Sequence, residues 1–587
     1  MRRIKLIVGL DMGGTHVDAV IIENGKIINT VKKPTNKKDL FTSIENTLEE
    51  LLTGYDKYKI KRINLSTTVS TNAIVENTTS PVGMIIQSGP GLPHDFLACG
   101  EENVFISGYV DHRGTVVENF NVEEIENAIE LFKEKSIDSY AVVSKFSTRN
   151  PSHELGIREI LQDEILRYAQ NDAGNAQNDS KHITMGHTMS GKLNFPRRVF
   201  TSYLNSAVYN TFKDFADSVK KYMEIENINA PVFVLKADGG TMSLEAAKEK
   251  PVETILSGPA ASFMGINAML GTNEDAILLD IGGTTTDIFF LANGVPLFEP
   301  LGIQIGEYKT LVRAIYSMSI GLGGDSSIEI VDGKIKIGPE RKGRPYAYGG
   351  PVATPTDAMI VLGLIGDEEI LRFAENDNEK AKAYASIENL GEQLNLSAED
   401  MAKLILNTMG DMIKDKIDKL LHRINSQPVY TIEELLHGKK ITPKLINIIG
   451  GPAKALSPIL EEKFKLPCNY PKNYEVANAI GAALAKTTTE INMIVDTAKG
   501  MLSVPELKIY EKVSKNYTLD QARNKALVLV KDSALSLGAR EEEIEAEIVE
   551  ESSFNMVRGF FTSGQNIRIK AQVKPGLIYK MGGDIID

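Results

Sequence analysis

The sequence predicts an α/β protein built from two duplicated lobes facing each other across a cleft, followed by a small C-terminal α+β appendage. Three observations predict this. The run Asp11-Met-Gly-Gly-Thr-His-Val-Asp18, with Asn24-Gly25 beyond it, recurs at one constant offset as Asp280-Ile-Gly-Gly-Thr-Thr-Thr-Asp287 with Asn293-Gly294. Apolar runs flank both copies, and helical patterns follow, as over Ser43 to Leu52 and Val122 to Lys135. From residue 497 onward the pattern changes to a helix-like stretch (Leu519 to Leu537), an acidic segment (Glu541 to Glu551) and the alternating strand Ile567 to Val573.

Each copy of the repeat reads as strand, tight turn, strand. Leu6 to Leu10 enters the first turn and Val17 to Ile22 leaves it; Ala276 to Leu279 and Ile288 to Leu291 do the same in the second. Paired glycines permit the positive φ that a tight hairpin demands. Asn24-Gly25 and Asn293-Gly294 supply a second hairpin turn, so each lobe opens as an antiparallel meander. A third element, Leu445-Ile-Asn-Ile-Ile449, reads as a buried strand ending in Gly450-Gly451-Pro452-Ala453, with a small-residue helix around Asn478 to Ala485 for close packing. The polar stretch Tyr168 to His182, with Ala-Gln-Asn-Asp written twice, reads as an exposed insertion. The expected units are 1–185, 186–492 and 493–587.

Composition narrows the function. The 587 residues are 42% hydrophobic and 24% charged, ordinary globular material for several domains. No run reaches the ~18 apolar residues of a membrane span, and the net charge of −13 leaves no nucleic-acid footprint. Two distant cysteines, Cys99 and Cys468, disfavour a disulfide scaffold or zinc module and fit a cytoplasmic chain.

The chemistry lies in the turns. Asp-x-Gly-Gly-Thr places successive backbone N–H groups and a hydroxyl around a concavity suited to phosphate oxygens. Asp11 and Asp280 face such a site from opposite lobes; carboxylates repel phosphate, so they act through Mg²⁺, its waters or a proton. One such hairpin alone is often only a tight turn; two at matched spacing point to a nucleotide tail held between lobes. Gly450 and Gly451 then let backbone lie flat against adenine.

In the order phosphate, phosphate, adenosine, these elements resemble the actin-like (ribonuclease H-like) ATPase superfamily. Ser66-Thr-Thr-Val-Ser-Thr-Asn72, Asp238-Gly-Gly-Thr-Met-Ser243, Ser257-Gly-Pro-Ala-Ala261 and Thr354-Pro-Thr-Asp357 sharpen the match. Over about residues 4 to 490 the chain resembles the hydantoinase A, 5-oxoprolinase and acetone carboxylase family. The resemblance implies an ATP- and Mg²⁺-dependent enzyme that activates the carbonyl of a small cyclic amide by phosphoryl transfer before ring opening. Alternatives are a carboxylase-type subunit activating a ketone, a kinase that keeps its phosphorylated product, and an actin-like-fold ATPase that reactivates a partner enzyme; an actin-like filament is disfavoured by the segments around Thr67 and Ser257. It also implies a second, hydantoinase B-like polypeptide and a homo-oligomer.

Carried over by the resemblance, Asp11 and Asp280 are expected catalytic and metal-holding residues. Gly13, Gly14, Thr15, Gly282, Gly283, Thr284, Thr285, Gly323 and Gly324 are expected on phosphate, and Gly450 and Gly451 on the nucleoside. Thr67, Thr68, Thr71 and Asn72 are expected to orient substrate, and Arg198, with Asn205 on the same helix, to neutralise transferred phosphate. Asp18 and Asp287 are weaker candidates that serve equally to pin their hairpins. Departures stand beside these matches: Tyr316 and Met318 replace an Asp and a His, Arg197 replaces a Glu, and Asp325 is a partial compensation or a cap. His187 is a general base or, more commonly beside glycine, a turn residue.

Overall fold

The computed structural model of the protein describes residues 6–14, 16–36, 39–171, 181–365, 378–426, 440–558 and 561–581. The fully buried strand Leu6–Met12 pairs antiparallel with His16–Glu23, placing Asp11 opposite Asp18. Asn24 (φ 50°) and Gly25 (φ 83°) turn the chain into Lys26–Pro34. Two consecutive left-handed residues give the turn twist that suits strand twist, which is why Asn-Gly occupies the position. Helix Leu40–Leu52, capped by the Asp39 side chain on the Thr42 N–H, then returns the chain to Ile60–Thr67, parallel to the first strand.

The second copy repeats this plan. Ala276–Ile281 pairs antiparallel with Thr286–Ala292, Asp280 opposite Asp287, and Asn293 (φ 50°) with Gly294 (φ 77°) turns into the short strand Val295–Pro296. Leu445–Ile449 lies parallel to Ala276–Ile281, as Ile60–Thr67 lies to Leu6–Met12. Both sheets thus carry one strand order, and the expected duplicated α/β architecture is present. Val232–Leu235 and Thr241–Ser243 extend the first sheet beyond Ile60–Thr67, so chain from well beyond residue 186 completes it.

Two helices between the sheets hold the lobes in register. Ala477–Leu484 and Ser257–Leu270 approach at backbone contact: a Cβ on Gly265 would lie 2.1 Å from the Ala477 carbonyl oxygen, and one on Gly481 2.1 Å from that of Ala261. On the first strand, a Cβ on Gly9 would lie 2.2 Å from the Ala479 oxygen. Ile7 and Val20 of the first sheet, Leu278 and Phe289 of the second, and Phe263 and Ile480 of the helices form one apolar cluster. Burying each such side chain contributes about 1.5–3 kcal/mol, so this interface fixes where the two aspartate turns meet.

Peripheral units complete the molecule. A parallel sheet in the order His182–Met185, Ser139–Ser144, Val82–Gln87, Glu102–Phe105 carries the long helix Phe195–Ile225. In the polar insertion, helix Ser152–Asn171 runs through the first residues, and 172–180 lie outside the described residues. At the C-terminus, helix Leu519–Ser536, opened by a Thr518–Gln521 capping box, covers one face of a five-stranded sheet. Ile567, Ile569, Ala571 and Val573 alternate inward, as the period-two pattern predicts. The acidic stretch forms the short turn Glu541–Glu543 and then enters the edge strand Ala546–Arg558. No helix among the described residues is long and apolar enough to cross a membrane.

Candidate nucleotide and substrate site

The two glycine turns close identically. Gly13 N–H donates to the His16 carbonyl at 3.0 Å, and Gly282 N–H to the Thr285 carbonyl at 2.9 Å. Each turn follows its aspartate, and the two aspartates converge. Asn478, on the helix packed between the sheets, reaches Asp280 Oδ2 with its Nδ2 at 3.5 Å and lies close enough to Asp11 to lower its pKa, as does Ser66. Asp280 Oδ2 also accepts from Ser262 Oγ at 2.6 Å. Asp11 Oδ1 is buried without any hydrogen-bond partner. An orphaned buried carboxylate oxygen is costly and stands ready for a proton or a cation.

Electrostatics follow from this convergence. Burial pushes Asp11 up to about 7 against the opposing pull of the nearby Ser66 hydroxyl, with Asp18 and Asp280 adding to the rise. Burial also raises Asp280, and burial with the charge of Asp280 takes Asp287 to about 7. Asp18 differs: Lys32, opposite it in the hairpin register, pairs with it at 2.9 Å, so it pins the hairpin.

Glycines let three second-lobe segments meet. Gly324 N–H donates to the Gly282 carbonyl at 2.9 Å and Asp325 N–H to that of Gly283 at 2.7 Å. A Cβ on Gly323 would lie 2.5 Å from the Gly283 oxygen. Gly450 has φ +90°, and a Cβ there would lie 2.2 Å from the Ile281 oxygen and 2.8 Å from Asp280 Oδ1. Gly451 has nothing within 4 Å of such a position and faces open space. Asp325 pairs with Arg341 at 2.8 Å, and Arg341 also reaches Thr284 Oγ1 at 3.3 Å. Burial takes Asp325 up to about 6 despite Arg341.

On the first lobe, Thr68 N–H and Oγ1 both donate to the Met12 carbonyl at 3.2 Å, next to Asp11. Asn72 Nδ2 donates to Thr68 Oγ1 at 3.1 Å and borders Gly14. Ser257 Oγ donates to the Thr67 carbonyl at 2.8 Å, and Thr71 Oγ1 accepts from Leu256 N–H at 3.1 Å. The N-terminus of helix Ser257–Leu270 therefore sits against the threonine segment. Thr15 lies outside the described residues, and Thr285 takes part through its backbone carbonyl.

Arg198 departs from the expected role. It is fully buried and spends its guanidinium on the carbonyls of Lys192, Ser144 and Lys145 at 2.8–2.9 Å. Its donors lock a loop to a helix, leaving no fork for phosphate, and Asn205 likewise bonds Thr184, Glu249 and Val252. His187 is buried with Nδ1 2.6 Å from Glu154 Oε2, a structural pair away from the turns. Tyr316 receives a hydrogen bond from Arg423, and Met318 packs on the second-lobe core opposite Ile288, so apolar packing occupies the segment of the missing Asp and His.

Sequence reasoning missed the bases. His16, Lys32, Arg341 and Arg344 gather where the lobes meet: burial, then the charges of Lys32, Arg341 and Arg344, depress His16 to about 4. These cations suit a polyphosphate. Ser66 and Ser262 stood inside or beside the quoted motifs, whereas the arginines sit in a loop without pattern. Among the described residues no group of three or more His, Cys, Asp or Glu side chains is arranged to hold a metal. The orphaned Asp11 Oδ1 with the nearby Asp280 is a donor set of the kind Mg²⁺ takes, one or two carboxylates with the shell completed by phosphate oxygens and water.

Models of known families match this chain over its two lobes: residues 7–165 match the hydantoinase/oxoprolinase N-terminal region and residues 198–491 the hydantoinase/oxoprolinase model. The chain belongs to the hydantoinase/oxoprolinase family. It is similar to an uncharacterised protein of Methanocaldococcus jannaschii, 26% identical over 69% of this chain and 64% of that one. It is also similar to the caprolactamase subunit alpha of Pseudomonas jessenii, 24% identical over 67% of this chain and 60% of that one. Among solved structures, nucleotide-free acetone carboxylase superposes with a TM-score of 0.68 at 15% identity, covering 98% of this chain and 88% of that one, which shows a shared fold. The chain spans about six tenths of the length of these two curated relatives.

Proposed function

We propose that this family member is an ATP-dependent amidohydrolase that activates the carbonyl of a small cyclic amide by phosphoryl transfer and then opens the ring. The observation that carries the reading is the convergence of Asp11 and Asp280, each leading a glycine turn of the same geometry, within reach of each other's charge. In this reading the Gly13 and Gly282 N–H groups close their turns on His16 and Thr285, the N–H groups of Gly14 and Gly283 bind phosphate oxygens, and Gly450–Gly451 lie against the adenosine. Lys32, Arg341 and Arg344 offset phosphate charge. Thr68 and Asn72, held at Met12 and Gly14, orient the amide toward the phosphate to be transferred.

Asp11 Oδ1 and Asp280 would hold Mg²⁺. When bound, the ion neutralises the triphosphate and polarises the transferred group. Without the ion, burial holds the Asp11 carboxyl up to about 7, so binding of the ion at neutral pH displaces a proton from it. The amide oxygen forms a bond to phosphorus as ADP leaves; water adds to the activated carbon, the C–N bond breaks with the nitrogen taking up a proton, and a second water hydrolyses the resulting acyl phosphate to carboxylate and phosphate.

Relatives named as subunits, among them caprolactamase subunit alpha and the acetophenone carboxylase gamma subunit, support the proposal that a second polypeptide, hydantoinase B-like, completes the enzyme. A cytoplasmic setting and self-association belong to the same proposal. The test is phosphate release: lactams such as 5-oxoproline, hydantoins or caprolactam, with or without the second polypeptide, should raise ATP hydrolysis. Stimulation by ketones with bicarbonate alone would replace the reading by carboxylation, and no stimulation by any compound would end it.

A further inference from the structure

A cavity of ≈ 300 Å³ opens beside the threonine segment, lined by Arg197, Leu256, Glu299, Gln304, Lys309 and Ser317 among others. Two of its lining residues are close in chain to the segments that bear the site. Leu256, held left-handed at φ 64°, immediately precedes Ser257 and Gly258, which rest on Thr67 and Thr68. Ser317 begins the strand that pairs with Thr286–Ala292, two residues before Ser319 faces Asp287. The cavity thus lies between the segments that lead to the two turns, and its volume suits a small ring with one substituent.

Arg197 decides what that ring should carry. Its Nη1 donates to three loop carbonyls, Leu301 at 3.3 Å, Gly302 at 3.2 Å and Thr310 at 2.8 Å. Three acceptors on one nitrogen fix the guanidinium plane. The opposite edge, Nε and Nη2, has no hydrogen-bond or ion-pair partner among the described residues, and that planar edge matches a carboxylate bidentately. Lys309 adds a second cation to the lining, against one carboxyl, Glu299. Burial raises Glu299 in spite of Arg423 and Arg197 nearby, which lessens its competition for Arg197.

We infer that this cavity is the amide subsite and that Arg197, aided by Lys309, reads a carboxylate on the substrate, selecting acidic lactams over neutral ones. The inference rests on the proposed lactam chemistry, and Arg197 acts in it as a specificity residue, not in bond making. The wild-type chain needs no alteration for the first test. Calorimetric titration of the full chain, loaded with a non-hydrolysable ATP analogue and Mg²⁺, compares 5-oxoproline, its uncharged carboxamide and 2-pyrrolidinone. We expect 5-oxoproline to bind roughly 10- to 100-fold more tightly than either neutral ring, as a charge-assisted pair supplies.

Arg197→Ala should abolish that preference, and Arg197→Lys should restore part of it. In turnover the loss should fall on KM for the acid with kcat little changed. Because Arg197 also anchors its loop, Lys309→Ala provides a second variant that leaves those carbonyl contacts intact and should weaken the same preference. Equal binding of acid and neutral rings, binding of none of them, or a preference that survives Arg197→Ala would each overturn the assignment. Tight, carboxylate-dependent binding without stimulated phosphate release would sink the amidohydrolase reading instead, so the two failures are distinguishable.

Discussion

Replacing Asn478 by alanine removes a side chain that lies between the two aspartates. It donates to Asp280 at a long 3.5 Å and lowers the pKa of Asp11. A hydrogen bond to a charged partner is worth about 1.5–3 kcal/mol. Taking the lower end or somewhat less for the long bond gives about 1–1.5 kcal/mol, or roughly 5- to 13-fold in kcat/KM. The helix should not suffer, since alanine is the better helix former by a few tenths of a kcal/mol, and its backbone packing on Gly265 and Gly9 is unchanged. Lactam-stimulated phosphate release gives kcat/KM, and thermal unfolding controls for folding. Asn478→Asp, which puts a third carboxylate between two, should lose more than alanine. An alanine variant of normal Tm whose turnover stays within twofold of wild type would refute the view that Asn478 couples the two turns.

Further consequences can be checked independently. Asp11→Ala and Asp280→Ala should each lower turnover by roughly 10²- to 10⁴-fold, as loss of acid–base positioning does; near-normal rates in both would contradict the site. Gly450→Ala should weaken nucleotide binding and lower Tm, because the added Cβ meets the Ile281 carbonyl at 2.2 Å in a left-handed backbone, whereas Gly451→Ala should leave Tm unchanged and raise KM for ATP. Asp11 and Asp287 titrate near 7 when folded against an ordinary 3.8, so the folded chain holds protons that the unfolded chain has lost. That stability is complete below about pH 4 and disappears as pH rises through 7. The Tm of the nucleotide-free protein should therefore fall from pH 5 to 8, and Asp287→Asn should recover a few kcal/mol at the alkaline end; a flat or rising profile would contradict the burial of these groups.

The fold was legible where chemistry is local. A Gly-Gly pair after Asp and an Asn-Gly turn dictate backbone geometry within a few residues, so both meanders and their duplication could be read directly, as could the alternating strand ending at Val573. The site was legible to the same depth. Asp11 and Asp280 could be named because each leads a turn; Asn478 could not be named as lying between them, because its place arises only when its helix packs between Gly9 and Gly265. Arg198 shows the converse: an arginine near a helix start looks like a phosphate ligand until the carbonyls of Ser144, Lys145 and Lys192 claim its donors. Arg341 and Arg344 sit in irregular chain, where no period or spacing marks them. The short strands Val232–Leu235 and Thr241–Ser243 belong to the first sheet through pairing partners far away in sequence.

The most direct measurement is a crystal structure of the protein with a non-hydrolysable ATP analogue and Mg²⁺. The expected arrangement has a phosphate tail within hydrogen-bonding distance of the Gly14 and Gly283 N–H groups at once, the ion beside Asp11 and Asp280, and the base against Gly450–Gly451. A nucleotide seated on one lobe alone, or elsewhere on the chain, would contradict it.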